Sequence, residues 1–231
     1  MAAVDTLRDA RTRELVAEDG EPVRLHFDPP LSDDEVARFE RTLPCPLPDD
    51  VRELLRFCRG FEGGAADFVD FTGARCNFGQ EDVFPYGLPF AADGFGNFWV
   101  VDLVPDSKIW GPIYFACHDA PVILYQSPHL DHFLIELLKL SVPPHKGLVQ
   151  DVHDDRLFQV WRKNPGIKTR PQCLESGDAI LEAFARELDA SYQIVDMRSA
   201  DIGFGFSWGR YGPDTTIRRC GMLPIFAYRR P

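Results

Sequence analysis

Residues 93–103 read Asp93-Gly94-Phe95-Gly96-Asn97-Phe98-Trp99-Val100-Val101-Asp102-Leu103, a two-glycine turn running into an apolar strand. Glycine has no Cβ and adopts positive φ readily, so the chain can bend sharply on either side of Phe95. The period of two then sends Phe98, Val100 and Asp102 to one face and Trp99, Val101 and Leu103 to the other. Both faces are largely apolar, which predicts a central strand.

Downstream, Pro105-Asp106-Ser107 turns the chain and Gly111-Pro112 opens the next segment. Ile113 to Cys117 and Val122 to Tyr125 read as two more strands joined by a short turn, hence an antiparallel meander. Ser127-Pro128 is placed to start a helix with proline in its first turn, and Leu130, Phe133, Leu134, Leu137 and Leu138 form its apolar side. Pro143-Pro144 closes this unit.

Upstream, Ser32-Asp33-Asp34-Glu35 is a capping-box pattern followed by Val36, Phe39 and Leu43. Asp49 and Asp50 suit the positive end of a second helix, with Val51, Leu54, Leu55 and Cys58 as its stripe. Residues 5–17 predict a charged helix, and residues 60–94 short strands and long turns. Helices, then strands, then a helix is an α+β order, a mainly antiparallel sheet flanked by helices. Beyond 145, the sequence predicts a C-terminal α/β extension. It holds a strand at Leu157–Trp161, a loop at 164–177, a helix at Asp178–Ala190, and strands at Tyr192–Met197, Ile202–Trp208 and Leu223–Tyr228. In the middle one, Gly203, Gly205 and Gly209 face away from Ile202, Phe204, Phe206 and Trp208, leaving room for a close neighbour. The predicted organisation is an N-terminal helical segment at 1–24, a main domain at 25–145 and the extension at 146–231. Residues 178–228 should pack a helix on a small sheet that extends the main domain.

The 231 residues carry a net charge of −11, distributed unevenly. Residues 1–150 hold 25 acidic and 13 basic side chains, and residues 151–231 hold 11 and 12. Such a field opposes contact with nucleic acid or anionic membrane and favours a basic partner. The six cysteines form no C-x-x-C pair, and no signal-peptide pattern opens the chain, so reduced thiols in the cytoplasm are expected.

Sites for chemistry are sparse. Gly203-x-Gly205-x-x-x-Gly209 misses the dinucleotide spacing by one residue and lies in a strand pattern. His129 and His132 would need a third ligand to hold zinc and read as solvated helix residues. His153-Asp154-Asp155 reads as a solvated acidic turn, and Cys117, pointing away from His118, as core. Arg198, Arg210, Arg218, Arg219, Arg229 and Arg230 give the tail a basic character, which reads as solvated strand positions or contacts with the chain's own acids. No catalytic residue, metal or cofactor is predicted.

The order and spacing of these pieces resemble the SUKH superfamily, in the branch named for a fungal glucan-synthesis regulator and killer-toxin-resistance protein. The matching residues are Leu31-Ser32-x-x-Glu35 with Phe39-Glu40, Leu47-Pro48-Asp49-Asp50-Val51-x-x-Leu54-Leu55, Gly63-Gly64, Ala92 to Phe98, Gly111-Pro112-Ile113-Tyr114 and the helix ending at Leu138. The resemblance spans about residues 25–142; Arg59-Gly60-Phe61 stands where the family usually has Asn-Gly. It implies an α+β domain without enzymatic activity, serving in bacteria as an immunity protein that neutralises a toxin by binding it, many such toxins being nucleases. The alternative is a scaffold for an endogenous protein partner. The candidate contact residues are Phe61, Phe68, Phe71 and Tyr86, ringed by Glu62, Asp67, Asp70, Glu81 and Asp82.

Overall fold

The computed structural model describes residues 2–79, 83–105, 109–118, 121–207 and 216–229. Helix α1 (Ala3–Thr12) is followed by the short strands β1 (Leu15–Val16), β2 (Pro22–Val23) and β3 (His26–Phe27). Then come α2 (Asp33–Glu40), α3 (Asp49–Phe57), β4 (Gly60–Glu62), β5 (Phe68–Asp70), β6 (Gly87–Ala92), β7 (Phe98–Asp102), β8 (Ile113–Cys117), β9 (Val122–Ser127) and α4 (Leu130–Leu138). The capping box before α2 is present: the Ser32 N–H donates to Glu35 Oε2 at 2.8 Å, and the Glu35 N–H to Ser32 Oγ at 3.4 Å.

Strands β3 to β9 form a continuous antiparallel sheet in which β7 lies between β6 and β8. Trp99 on β7 is 2 % exposed. The predicted alternation holds: Trp99, Val101 and Leu103 join one core, and Phe98 and Val100 a different one on the opposite face.

The first core is covered by helices. Leu7 of α1, Val51, Leu54 and Leu55 of α3, and Phe133, Leu134 and Leu137 of α4 pack with Trp99, Val101 and Phe115. The second core is covered by the C-terminal region, which folds as β10 (Lys168–Thr169), α7 (Arg170–Leu174), α8 (Ala179–Arg186), β11 (Tyr192–Asp196), β12 (Gly205–Ser207), β13 (Ile217–Arg219) and β14 (Ile225–Arg229). Strands β10, β11, β14 and β13 make a four-stranded antiparallel sheet in that order. Its inner side chains Val195, Phe226 and Tyr228 meet Val100, Tyr114, Ala116 and Ile123 of the large sheet. Its outer side chains Ile194, Ile225 and Ala227 meet Leu181, Phe184 and Ala185 of α8. The molecule is thus built in four layers: helices, large sheet, small sheet, helices.

One C-terminal strand crosses into the first sheet. β12 pairs with β9 and becomes the eighth strand of the large sheet. A Cβ on Gly205 would stand 1.9 Å from the Ile123 carbonyl oxygen, so this approach requires glycine. Asn164 blocks the end of the new edge: its Nδ2 donates to the Ser207 carbonyl at 2.7 Å and its Oδ1 accepts from the Ser207 N–H at 2.9 Å.

Several sequence expectations are corrected. The first helix stops at Thr12, because Leu15 and Val16 pair with Val23 and Pro22 across a turn where Gly20 has φ +88°. Ser127 ends β9, and α4 starts two residues after Pro128, with His129 at its N-cap. Leu157–Trp161 is helical: α5 (Leu148–Gln150), a π-helical segment (Asp151–Arg156) and α6 (Leu157–Lys163) run without a break. Its buried residues Val149, Val152, Leu157 and Val160 include a five-residue step that the π turn accommodates, and that step hides the helical period. The expected loop at 164–177 contains β10 and α7, the latter with a Thr169–Gln172 capping box. Only the Gly205–Ser207 part of the expected strand at Ile202–Trp208 is a strand among the described residues; Trp208 and Gly209 lie outside them.

Candidate functional site

The turn between β6 and β7 carries the most distinctive polar network. Gly94 and Gly96 have φ of +80° and +87°, which throws Phe95 outward from between them, 76 % exposed. Asp93 fixes the backbone of the turn: its Oδ1 accepts from the N–H groups of Phe95 (2.9 Å) and Asn97 (3.2 Å). Its Oδ2 accepts from Asn97 Nδ2 at 2.6 Å and from His153 Nε2 at 3.0 Å. Asn97 Oδ1 in turn accepts from the His118 N–H and ring Nδ1, at 3.0 and 3.1 Å. An exposed aromatic is therefore held on a rigid loop whose polar groups are satisfied internally.

His153 reaches this loop from the π-helical segment. Its ring lies nearly parallel to Trp99 with centroids 6.2 Å apart and meets Phe115 edge-on at 5.2 Å. Nδ1 lies 2.7 Å from Asp154 Oδ1, so both ring nitrogens face carboxylates. The hydrogen bond to Asp93, opposed by burial and helped by Asp154, raises the imidazole pKa above its ordinary value. Burial pushes the Asp93 carboxyl upward, but the hydrogen bonds from His153, Asn97 and Phe95 outweigh it and leave the pKa lowered. Each ring nitrogen thus has a carboxylate partner, which holds the imidazole between Asp93 and Asp154. The expectation of a solvated turn at 153–155 holds for Asp154 and Asp155, which are exposed, and is corrected for His153, a half-buried contact between the main domain and the helical run after it.

Beside this network opens a cleft of about 250 Å³. Trp99, Leu140 and Val149 supply apolar wall, Phe95 stands on the rim, and Glu18, Asp93, Asp154, His153 and His145 supply the charged and titratable groups. The His145 ring Nδ1 donates to the Leu140 carbonyl at 3.2 Å. Nearby, Asp67 is exposed and would be 3.4 Å from a Cβ on Gly94.

The candidate contact residues separate by burial. Phe61 and Phe71 are buried in the helix-side core, and Asp70 is buried with its carboxylate on the Thr72 and Arg75 N–H groups and the Thr72 hydroxyl. Their side chains are therefore removed from any contact surface: Phe61 lies on β4, Asp70 ends β5, and Phe71 follows it with its N–H on the Arg59 carbonyl. Glu62 is exposed and paired with Arg75, whose guanidinium also covers the Phe68 ring at 4.3 Å. Asp67 and Tyr86 are open to solvent. Glu81 and Asp82 lie outside the described residues. The structure thus shifts attention from residues 60–71 to Phe95 and to His153, which lies in the segment read as a solvated turn. Their signals were present: a phenylalanine flanked by glycines, and the five-residue step from Val152 to Leu157.

Several other histidines and arginines have partners within the fold. The Ser127 hydroxyl donates to the His129 carbonyl at 3.0 Å and accepts from His132 Nδ1 at 2.9 Å. Cys117 is buried in the helix-side core. Arg198 bridges Asp178 and Asp196, Arg229 pairs with Asp189, and Arg219 with Asp102, so these arginines of the tail contact the chain's own acids. Arg210 and Arg230 lie outside the described residues. Among the described residues no group of three His, Cys, Asp or Glu side chains could hold a metal ion, and no helix is long and apolar enough to cross a membrane.

The SMI1 / KNR4 family (SUKH-1) matches residues 30–136, from just before α2 into α4. No characterised protein and no solved structure matches the chain.

Proposed function

The chain belongs to the SUKH superfamily through residues 30–136, and we propose on that premise that it is an immunity protein, binding a cognate toxin and obstructing its active site without chemistry of its own. The observation that carries this reading is the outward placement of negative charge. Glu14, Glu18, Glu21, Asp34, Asp49, Asp50 and Asp67 are all exposed, and none enters an ion pair among the described residues. Asp34, Asp49 and Asp50 also favour the N-termini of α2 and α3, but their charge still faces solvent. A groove that binds nucleic acid is basic, so a nuclease toxin is the natural counterpart of such a surface. Charge complementarity would speed encounter and select the partner, while an aromatic anchor slows release. The cytoplasm is where such a toxin would be met.

Co-expression with a toxin encoded beside this gene provides the test. Restored growth and a stoichiometric complex in size-exclusion chromatography are expected. Neither rescue nor complex would refute the reading, and a complex without rescue would favour the scaffold role.

A further inference from the structure

We propose that Phe95 and the cleft behind it form the docking point for a basic partner protein, with one arginine side chain of the partner entering the cleft. This deepens the toxin-binding reading and rests on it for the identity of the partner.

Three observations converge. Phe95 is the most exposed of the large apolar side chains among the described residues, yet its loop is fixed by four hydrogen bonds to the Asp93 carboxylate. A rigid exposed aromatic can be buried by a partner at little further ordering cost, which is the character of an interface anchor. The cleft at its foot, about 250 Å³, falls below the range of roughly 300–1,000 Å³ usual for small-molecule and cofactor sites and suits a single side chain. Its lining includes three carboxylates and two imidazoles, His153 and His145; Glu18 and Asp154 are exposed, while Asp93 is already engaged by its own turn and adds its charge from behind.

The occupant follows from that lining. Leu140 and Val149 can cover the methylenes of a long side chain while its charged head lies among carboxylates. A planar guanidinium can also stack flat on the Phe95 ring and present parallel N–H groups to a carboxylate, a geometry the compact ammonium lacks. The groove between α1 and α4, lined by Ala10, Leu15, Ile135 and Leu138, carries Asp9, Arg13 and Lys139, a mixed set of charges that selects no one occupant.

The test uses the full chain, ¹⁵N-labelled, titrated with the peptide acetyl-Gly-Arg-Gly-amide and with its citrulline counterpart, which keeps the shape and loses the charge. Saturable shifts are expected at the Trp99 indole N–H and at the Ala65, Phe95 and Gln150 amides. Glu18→Gln, at an exposed position outside the packed cores, should weaken arginine binding about two- to fivefold, the range of an exposed ion pair. Phe95→Ala should weaken it as well. Absence of cleft shifts, or equal binding of the citrulline peptide, would overturn the proposal. Toxin rescue with no arginine response would leave the immunity role standing and eliminate this surface; the converse result would retain the surface and eliminate the role.

Discussion

Arg219 of the small sheet grips Asp102 of β7 through two parallel hydrogen bonds, Nη1 to Oδ1 at 2.8 Å and Nη2 to Oδ2 at 2.5 Å. The side chains are 3 % and 2 % exposed. The other guanidinium donors are used too: Nε on the Leu223 carbonyl, Nη1 also on Val83 and Nη2 also on Met222. The guanidinium carbon also lies 5.4 Å from the Phe226 ring centroid. A buried ion pair is tolerable only when satisfied this fully, and here it ties the C-terminal sheet to the central strand of the SUKH domain.

Removing one partner leaves an uncompensated buried charge. Arg219→Ala should cost about 3–5 kcal/mol in urea-induced unfolding, whereas Arg219→Met combined with Asp102→Leu should recover most of that loss. A single substitution costing less than about 1 kcal/mol would mean that the pair does not hold the layers together.

Gly205 makes a second, independent connection. Gly205→Ala forces a methyl into the Ile123 carbonyl and should destabilise by about 1–3 kcal/mol. Amide hydrogen exchange should accelerate selectively at Phe206 and in β9, while β6 and β7 stay protected. Uniform exchange across the large sheet would contradict a separable edge strand.

The His153–Asp93 contact has a definite pH signature. Folding raises the pKa of His153 above its ordinary 6.5, so its contribution is complete below that pH and is lost as pH climbs through the raised folded value. Folding lowers the pKa of Asp93 below its ordinary 3.8, so its contribution is complete above that pH and is lost as pH falls through the lowered value. The pair should stabilise most between these two ordinary values. His153→Gln should flatten the alkaline side of a stability profile measured by thermal unfolding; an unchanged slope between pH 6 and 9 (roughly the His range) would contradict the contact.

Thiol labelling tests the core. Burial drives the Cys58 thiol up to about 12, and Cys58 and Cys173 have no exposed surface. Iodoacetamide on the native protein should leave both unmodified by mass spectrometry, while denaturation opens all six cysteines. Rapid native labelling of Cys58 would show that α3 does not pack as described.

The layers of the SUKH domain could be read from local rules. Ser32 and Glu35, the stripe on α3 and the alternation of Trp99 with Val100 each follow from short-range chemistry, and the structure repeats them. What could not be read depends on distance. Asp102 is visibly on the Val100 face, but its partner stands 117 residues away in Ile217–Arg219, a strand too short and polar to show a period. Phe61 and Phe71 stand among acidic neighbours in the sequence, whereas tertiary packing turns them into the core. The segment around His153 eluded periodicity because one π turn displaces the pattern by a residue.

The placement of β12 and Arg219 has a consequence for synthesis on the ribosome. The family segment ends at residue 136, but the apolar back of its sheet, where Val83 and Phe84 also pack, is completed by Val195, Met197, Phe206, Phe226 and Tyr228. At about 5–20 residues per second, the nascent domain leaves the face carrying Val100 and Ile123 incompletely covered for several seconds. Cutting the gene at the domain boundary would make that interval permanent, yielding a product that self-associates or is captured by chaperones.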